Sequence, residues 1–378
     1  MSIATPFKQG ADFESLRRVL LREGPPGPVP IIELMVDGDA MAKVTGLPTP
    51  ISSMMDLMDF IEADGTVSQE SLEKGMQLMD LSLKFARDVG YDYVTTIPVV
   101  PLPRTKLRQS RTVNGKAFTR SWQNEHEGLI RDRADFDAFP WPSVDSIDLI
   151  TLDYLAPQLP EGSKIILFYF GIFEDLRALM GFENMAVKSI REPDLIADVL
   201  EKLTVLAEAT MDRAMAHPAA GAVFYADDMG FNTGTMLSPK FFRQMVIPRL
   251  KRIADQSHRH GKPFLLHSCG QVDALMEDFI ETVGIDGIHS FEDNIEPVES
   301  VYRRYHPRLS ILGGVDVNLL ANGTEEQVRK RCREILDVCG PKGGFAIGSG
   351  NSVTNYCKIE NYYAMLDETR KWNRDNGF

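Results

Sequence analysis

Residues 263–291 read "PFLLHSCGQVDALMEDFIETVGIDGIHSF": a short apolar run, a glycine turn, an amphipathic segment of helical period, and a second short apolar run. Strand, turn, helix and strand in that order and length form the unit a parallel crossover requires. The alternation continues in both directions. Further β-rich runs stand at "VPIIEL" (29–34), "DYVTTIPVV" (92–100), "KIILFYF" (164–170), "AVFYADD" (222–228), "LSILGGV" (309–315) and "GGFAIGSG" (343–350), making eight in all. Amphipathic segments such as "EPDLIADVLEKLTVLAEATMDRAMA" (192–216) and "TEEQVRKRCREILDVC" (324–339) separate them. Eight strands alternating with helices predict an α/β fold, a (β/α)8 TIM barrel. An open doubly wound sheet shows the same alternation, but no Gly-x-Gly-x-x-Gly opens a helix after the first strand, so its dinucleotide-binding form has no support.

One region breaks the rhythm. In "LRQSRTVNGKAFTRSWQNEHEGLI" (107–130), Asn114-Gly115 between alternating residues predicts a two-residue hairpin, inserted over 103–130 on a βα loop. Such loops lie on the catalytic face of a barrel, so this ribbon, with Trp122 and His126, is expected to cover the mouth or meet a partner. Residues 1–28 are expected to be a helical N-terminal extension, with 1–378 forming a single domain.

Across 378 residues, 41 Lys and Arg stand against 54 Asp and Glu, a net charge of −13 at pH 7. That field repels nucleic acid and anionic membrane unless a local basic patch exists. The first residues lack a signal-peptide core, and no stretch is apolar for the roughly 18 residues of a membrane span, so a cytoplasmic protein is expected. Four cysteines in a chain this long do not make a disulfide framework. Cys332 and Cys339 lie in a helical pattern and are expected to pack.

Reacting groups of a barrel come from the C-terminal ends of its strands. His267 and Cys269 are two apart at such an end, so imidazole and thiolate project to one side and reach a single ion. Glu292, ending the next strand, can add an oxygen, giving a His267, Cys269, Glu292 set suited to zinc with one position open. Asp227 and Asp228 are consecutive, so at most one points into the mouth, as base, anchor or partner of His267, while the other caps a helix or meets solvent. Glu33 closes the first strand as a third candidate carboxylate. Tyr225, Ser349 and Asn351 are expected to contact substrate. His289 alternates with Ser290 and Glu292 and is expected to face the helices.

The run "LLHSCGQVDALMEDFIETVGIDGIHSFED", preceded by "ADDMGFNTGTMLSPKFFRQMVIPRLKRIADQSHRHGKPF" and followed by "LGGVDVNLL", resembles the uroporphyrinogen decarboxylase superfamily, in particular its corrinoid-dependent zinc methyltransferase branch. The resemblance implies a (β/α)8 barrel and a zinc site held by a His-x-Cys, a Glu ending the next strand and a Cys after the last strand. His267, Cys269 and Glu292 match the first three. The last does not match, for "GGFAIGSGNSV" carries Asn351 at that place, and Cys357, six residues on, could substitute only if the loop folded back. True decarboxylases of the superfamily carry an arginine motif after the first strand, where this chain reads "IIELMVDGDAMAKV".

The resemblance therefore implies a methyltransferase carrying a methyl group from a small O-methyl donor, such as an aryl methyl ether, to the Co(I) corrinoid of a partner protein. Zinc would act as Lewis acid and Asp227, Asp228 and Glu33 would shape the pocket. No Asp-x-His-x-x-Gly motif for cobalamin is found in the chain, so the corrinoid (cobalamin) is expected on the partner. Transfer from methyl-corrinoid to a thiol or folate, a metal-free lyase, and a non-catalytic corrinoid-binding barrel are the rival readings. A homodimer is compatible with all of them.

Overall fold

The structure, a computed structural model, describes residues 10–53, 56, 60, 61, 65–104, 108–113, 116–122 and 128–378. Its strands are β1 (Tyr93–Thr96), β2 (Arg108–Val113), β3 (Lys116–Trp122), β4 (Lys164–Phe170), β5 (Ala220–Ala226), β6 (Gly230–Phe231), β7 (Gly234–Thr235), β8 (Phe264–His267), β9 (Gly287–His289), β10 (Ser310–Leu312) and β11 (Phe345–Ala346). Seven of them form one parallel sheet in chain order, β1-β4-β5-β8-β9-β10-β11. The run 29–34 follows β11 as a single parallel bridge from Ile31 to Ile347. Every apolar run named from the sequence thus occupies its expected station in a curled α/β sheet of the TIM-barrel kind.

The seam of the barrel lies between the first run and β1. No backbone ladder joins them among the described residues. Instead the Glu33 N–H donates to Tyr93 Oη at 2.6 Å, and that hydroxyl donates to the Glu33 carbonyl at 3.1 Å. A side chain thereby satisfies two backbone groups that would otherwise be buried without partners.

The first helices are α1 (Phe13–Leu21), α2 (Gly38–Thr45), α3 (Gln69–Val89), α4 (Arg133–Ala138), α5 (Ile150–Leu155), α6 (Ile172–Met180), α7 (Phe182–Arg191) and α8 (Pro193–Ala216). In α8, Pro193 occupies the first turn, where its missing N–H costs nothing, and Leu195, Ile196, Val199, Leu200 and Leu203 form the buried stripe of a 3.6-residue period. α1 closes the N-terminal floor of the barrel. Asp12 caps it by accepting from Ser15 N, Phe13, Leu16 and Leu20 are buried, and Ser310 Oγ donates to the carbonyls of Val19 and Leu20. The segment 272–283 is less regular than its pattern suggested, with a tight turn at Asp273–Leu275 and wide turns at Asp278–Val283. β2 and β3 pair antiparallel, with Val113 opposite Lys116; Asn114, Gly115 and His126 lie outside the described residues.

Candidate metal centre

β8 ends in His267, and two residues later Cys269 turns back over it, its Sγ 3.4 Å from His267 Nε2. Gly270 makes that turn possible. Its φ is +79°, and a Cβ there would stand 2.3 Å from the backbone of Gly230. β5 supplies the third group: Asp228 Oδ1 lies 3.6 Å from His267 Nε2 and accepts the Cys269 N–H at 2.8 Å. One ligand atom each from Asp228, His267 and Cys269 lies within 4.8 Å of the others. Bond lengths of about 2.0–2.3 Å in a tetrahedral zinc site put neighbouring ligand atoms roughly 3.4–3.6 Å apart, so the donor types and the spacing both fit such an ion.

The histidine tautomer follows from donor and acceptor accounting. His289 Nε2 lies 3.0 Å from the Ser349 carbonyl, which only accepts, so Nε2 carries the proton. Burial pushes His289 down to about 3, so its ring is neutral and its Nδ1 accepts. That Nδ1 lies 2.7 Å from His267 Nδ1, which must therefore donate. Burial holds His267 down at about 3 as well, leaving its Nε2 lone pair facing Cys269 and Asp228. A neutral imidazole with its far nitrogen tied down is the form that binds metal. Cys269 is the opposite case: burial, then Asp228, push its thiol well up, while Asn351 Nδ2 donates to Sγ at 3.2 Å.

A family model described as uroporphyrinogen decarboxylase (URO-D) matches residues 129–372, more than half of the chain. The chain belongs to this family. Among its relatives is a methylated-thiol–coenzyme M methyltransferase from Methanosarcina mazei, 30% identical over 189 residues that cover 50% of this chain and 48% of the relative. The chain thus matches about half the length of that relative. A uroporphyrinogen decarboxylase of Anaeromyxobacter dehalogenans is 26% identical over 247 residues, covering 63% of this chain and 68% of the other. Among solved structures, a methyltransferase from Methanosarcina mazei superposes with a TM-score of 0.66 at 18% identity, over 94% of this chain and 97% of that one. This last likeness supports the barrel fold.

On this URO-D barrel the other candidate residues divide. Glu292 stands apart from the three clustered ligand atoms, lining a cavity of about 40 Å³ with Ser268 and Ser290; burial raises its carboxyl, with Asp316 and Asp228 adding to the shift. Asp228 holds the place in the cluster that the sequence assigned to Glu292. Asp227 is fully buried and accepts from Phe173 N and Glu174 N, capping α6. Tyr225 is fully buried too, its hydroxyl accepting from Ile172 N and its ring against Tyr169 and Phe264. Both hold α6 in place. Glu33 takes bonds from Ser349 N and Ser349 Oγ, and burial pushes it up to about 8. Cys357 bonds Thr354 away from the cluster, while Cys332 and Cys339 are buried in the helix Glu325–Cys339.

His289 does not face the helices. It stands opposite His267 in the β8–β9 register, and register partners in a parallel sheet present side chains to the same face. Alternation counted back from Glu292 fails because the chain leaves the strand after His289.

A larger apolar cavity of about 130 Å³ lies where β1 and β4 end, walled by Met76, Met79, Val100, Tyr154 and Phe170. Arg104, over the Phe170 ring, pairs with Asp175 at 2.5 Å on this wall. The preceding residue, Glu174, binds Asp227 through its N–H and pairs with Arg177 at 3.0 Å; Arg177 in turn donates to the Asp228 carbonyl. A single layer of polar residues thus links the cavity to the Asp228, His267 and Cys269 cluster. Sequence alone did not mark Arg104, which lies beyond a strand end in an unpatterned loop.

Proposed function

We propose that the chain is the substrate-side methyltransferase of a corrinoid system, moving a methyl group from an O-methyl compound to the Co(I) corrinoid of a partner protein. The methyl C–O bond breaks, a cobalt–carbon bond forms, and the departing alkoxide or phenolate takes up a proton. The observation that carries this reading is the Asp228, His267, Cys269 cluster with its fixed imidazole tautomer, on a barrel of a family that includes a methyltransferase. Zinc bound there supplies Lewis acidity toward an ether oxygen. One neutral imidazole, one thiolate and one carboxylate sum to zero with Zn²⁺, and a second thiolate at Asn351 would make the centre anionic and a weaker acid. His267 and Cys269 would hold the ion and Asp228 would complete the set; Asp228 also binds the Cys269 amide, and Asn351 donates to the sulfur. The apolar cavity is suited to an aryl methyl ether.

The test has two parts. Protein purified without chelators should hold about one zinc per chain, lost in a His267→Ala/Cys269→Ala variant. The loaded protein should then convert Co(I) cobalamin to methylcobalamin with a methoxylated arene, read from the corrinoid spectrum. No metal under zinc-replete conditions would sink the mechanism. Thiol-dependent demethylation of methylcobalamin, without activity on ethers, would transfer the assignment to the thiol reaction named for the Methanosarcina relative.

A further inference from the structure

The net charge of −13 argues against anion binding unless the fold gathers cations locally, and at the floor of the barrel it does. A cleft of about 280 Å³ lies where α1 and the segment entering at Val29 meet the loops before β10 and β11. Arg18, Arg22 and Lys342 line it, and none has a carboxylate within ion-pair distance among the described residues. The one acid on the wall, Glu23, is engaged by Arg17 at 2.8 Å.

Arg22 is the telling residue. Its φ is 57°, and it is the only non-glycine with positive φ among the described residues, at a helix end where glycine is favoured. A residue with a side chain at such a position carries backbone strain that a glycine would not. The cation is not needed to neutralise the end of α1: Arg18 O accepts from Glu23 N, and Ser310 Oγ takes Val19 O and Leu20 O. Arg22 is instead pinned by donating Nη1 to the Asp286 carbonyl at 2.9 Å, and burial lowers its pKa by more than the Asp286 carboxylate, itself paired with His258 at 2.9 Å, raises it. A Cβ on Gly344 would press on Arg22 Cγ at 3.3 Å, so the glycine leaves room for this stem.

We propose that this cleft binds a small dianion presenting a phosphoryl group, as free phosphate or as the ester of a small molecule. Three cations match two negative charges, the nearby acids being already paired, Glu14 and Glu23 with Arg17 and Asp286 with His258, and a guanidinium fork binds two phosphoryl oxygens at once. The site is independent of the metal centre, which lies at the opposite ends of the strands.

Calorimetric titration of the full chain with inorganic phosphate, at ionic strength balanced with chloride, tests this. One phosphate per chain should bind, at least tenfold more weakly in Arg22→Gly and in Lys342→Gln, and undiminished in His267→Ala/Cys269→Ala. Arg22→Gly removes the cation while relieving its backbone, and Lys342 is exposed, so at least one variant keeps its fold. Heat no greater than the chloride control, affinity unchanged in both cation variants, or loss in the metal-centre variant would each overturn the proposal. With the site upheld, a parallel titration with glycerol phosphate names the source: tighter binding than phosphate marks the ester, weaker or equal binding the free ion.

Discussion

At Cys269 a metal must displace a proton. Burial and Asp228 keep the sulfur a thiol well above the usual range, whereas His267, held down at about 3, is already neutral at any working pH. Only one proton should therefore leave when zinc binds, and zinc affinity should rise about tenfold per pH unit between pH 6 and 8. Competition with a chromogenic chelator at three pH values checks this, and a flat profile would place the ion elsewhere. Glu33 predicts the opposite slope for stability. Its carboxyl sits at about 8 in the fold against an ordinary 4.5, so between those values the folded chain keeps a proton that the unfolded chain releases. The contribution is full below pH 4.5 and is lost as pH rises to 8, at about 1.4 kcal/mol per unit of separation. Glu33→Gln should gain Tm relative to the parent as the pH is raised from 5 to 8.5, crossing it by the upper end.

At the end of β5 two consecutive acids serve different elements. Asp227 points to the first turn of α6, where it accepts from Phe173 N and Glu174 N, while Asp228 points to His267 and Cys269. Asp227→Ala strands two buried N–H groups and should cost about 1–3 kcal/mol in denaturant unfolding with zinc affinity largely kept. Asp228→Asn should weaken zinc at least tenfold with little loss of stability. Identical effects from the two substitutions would refute this division. The pair also shows where sequence stops being informative. Adjacent positions on a strand end must diverge, which is legible, but which acid turns inward depends on the path of the loop after Ala226. His267 and Cys269 were legible because two-residue spacing survives a short extended stretch. His289 was not, because its face is set by pairing with His267 across two strands, a long-range register that one strand does not encode.

Across the whole molecule the barrel was readable because each strand is a short apolar run bounded by turns, a local signal repeated eight times. How the barrel closes is not local. The first run touches the last strand through one bridge, and its contact with the second depends on the Tyr93 hydroxyl, sixty residues away in the chain. Behind it, Tyr91 and Tyr362 bond each other through their hydroxyls, and Tyr91 stacks on Tyr93, so the seam is held by a packed group of tyrosines. Tyr93→Phe keeps the ring and its packing but leaves the Glu33 N–H and carbonyl buried without partners, at a cost of about 1–3 kcal/mol. Because seven strands remain laddered to one another, the opening should be local. Amide exchange is expected to quicken at residues 31–36 while β5 and β8 stay protected. Equal acceleration in β5 would mean that the seam and the sheet unfold as one unit. Confinement to the seam would show that Glu33 and Ser349, which feed the His289 to His267 chain, lie on the least stable edge of the barrel.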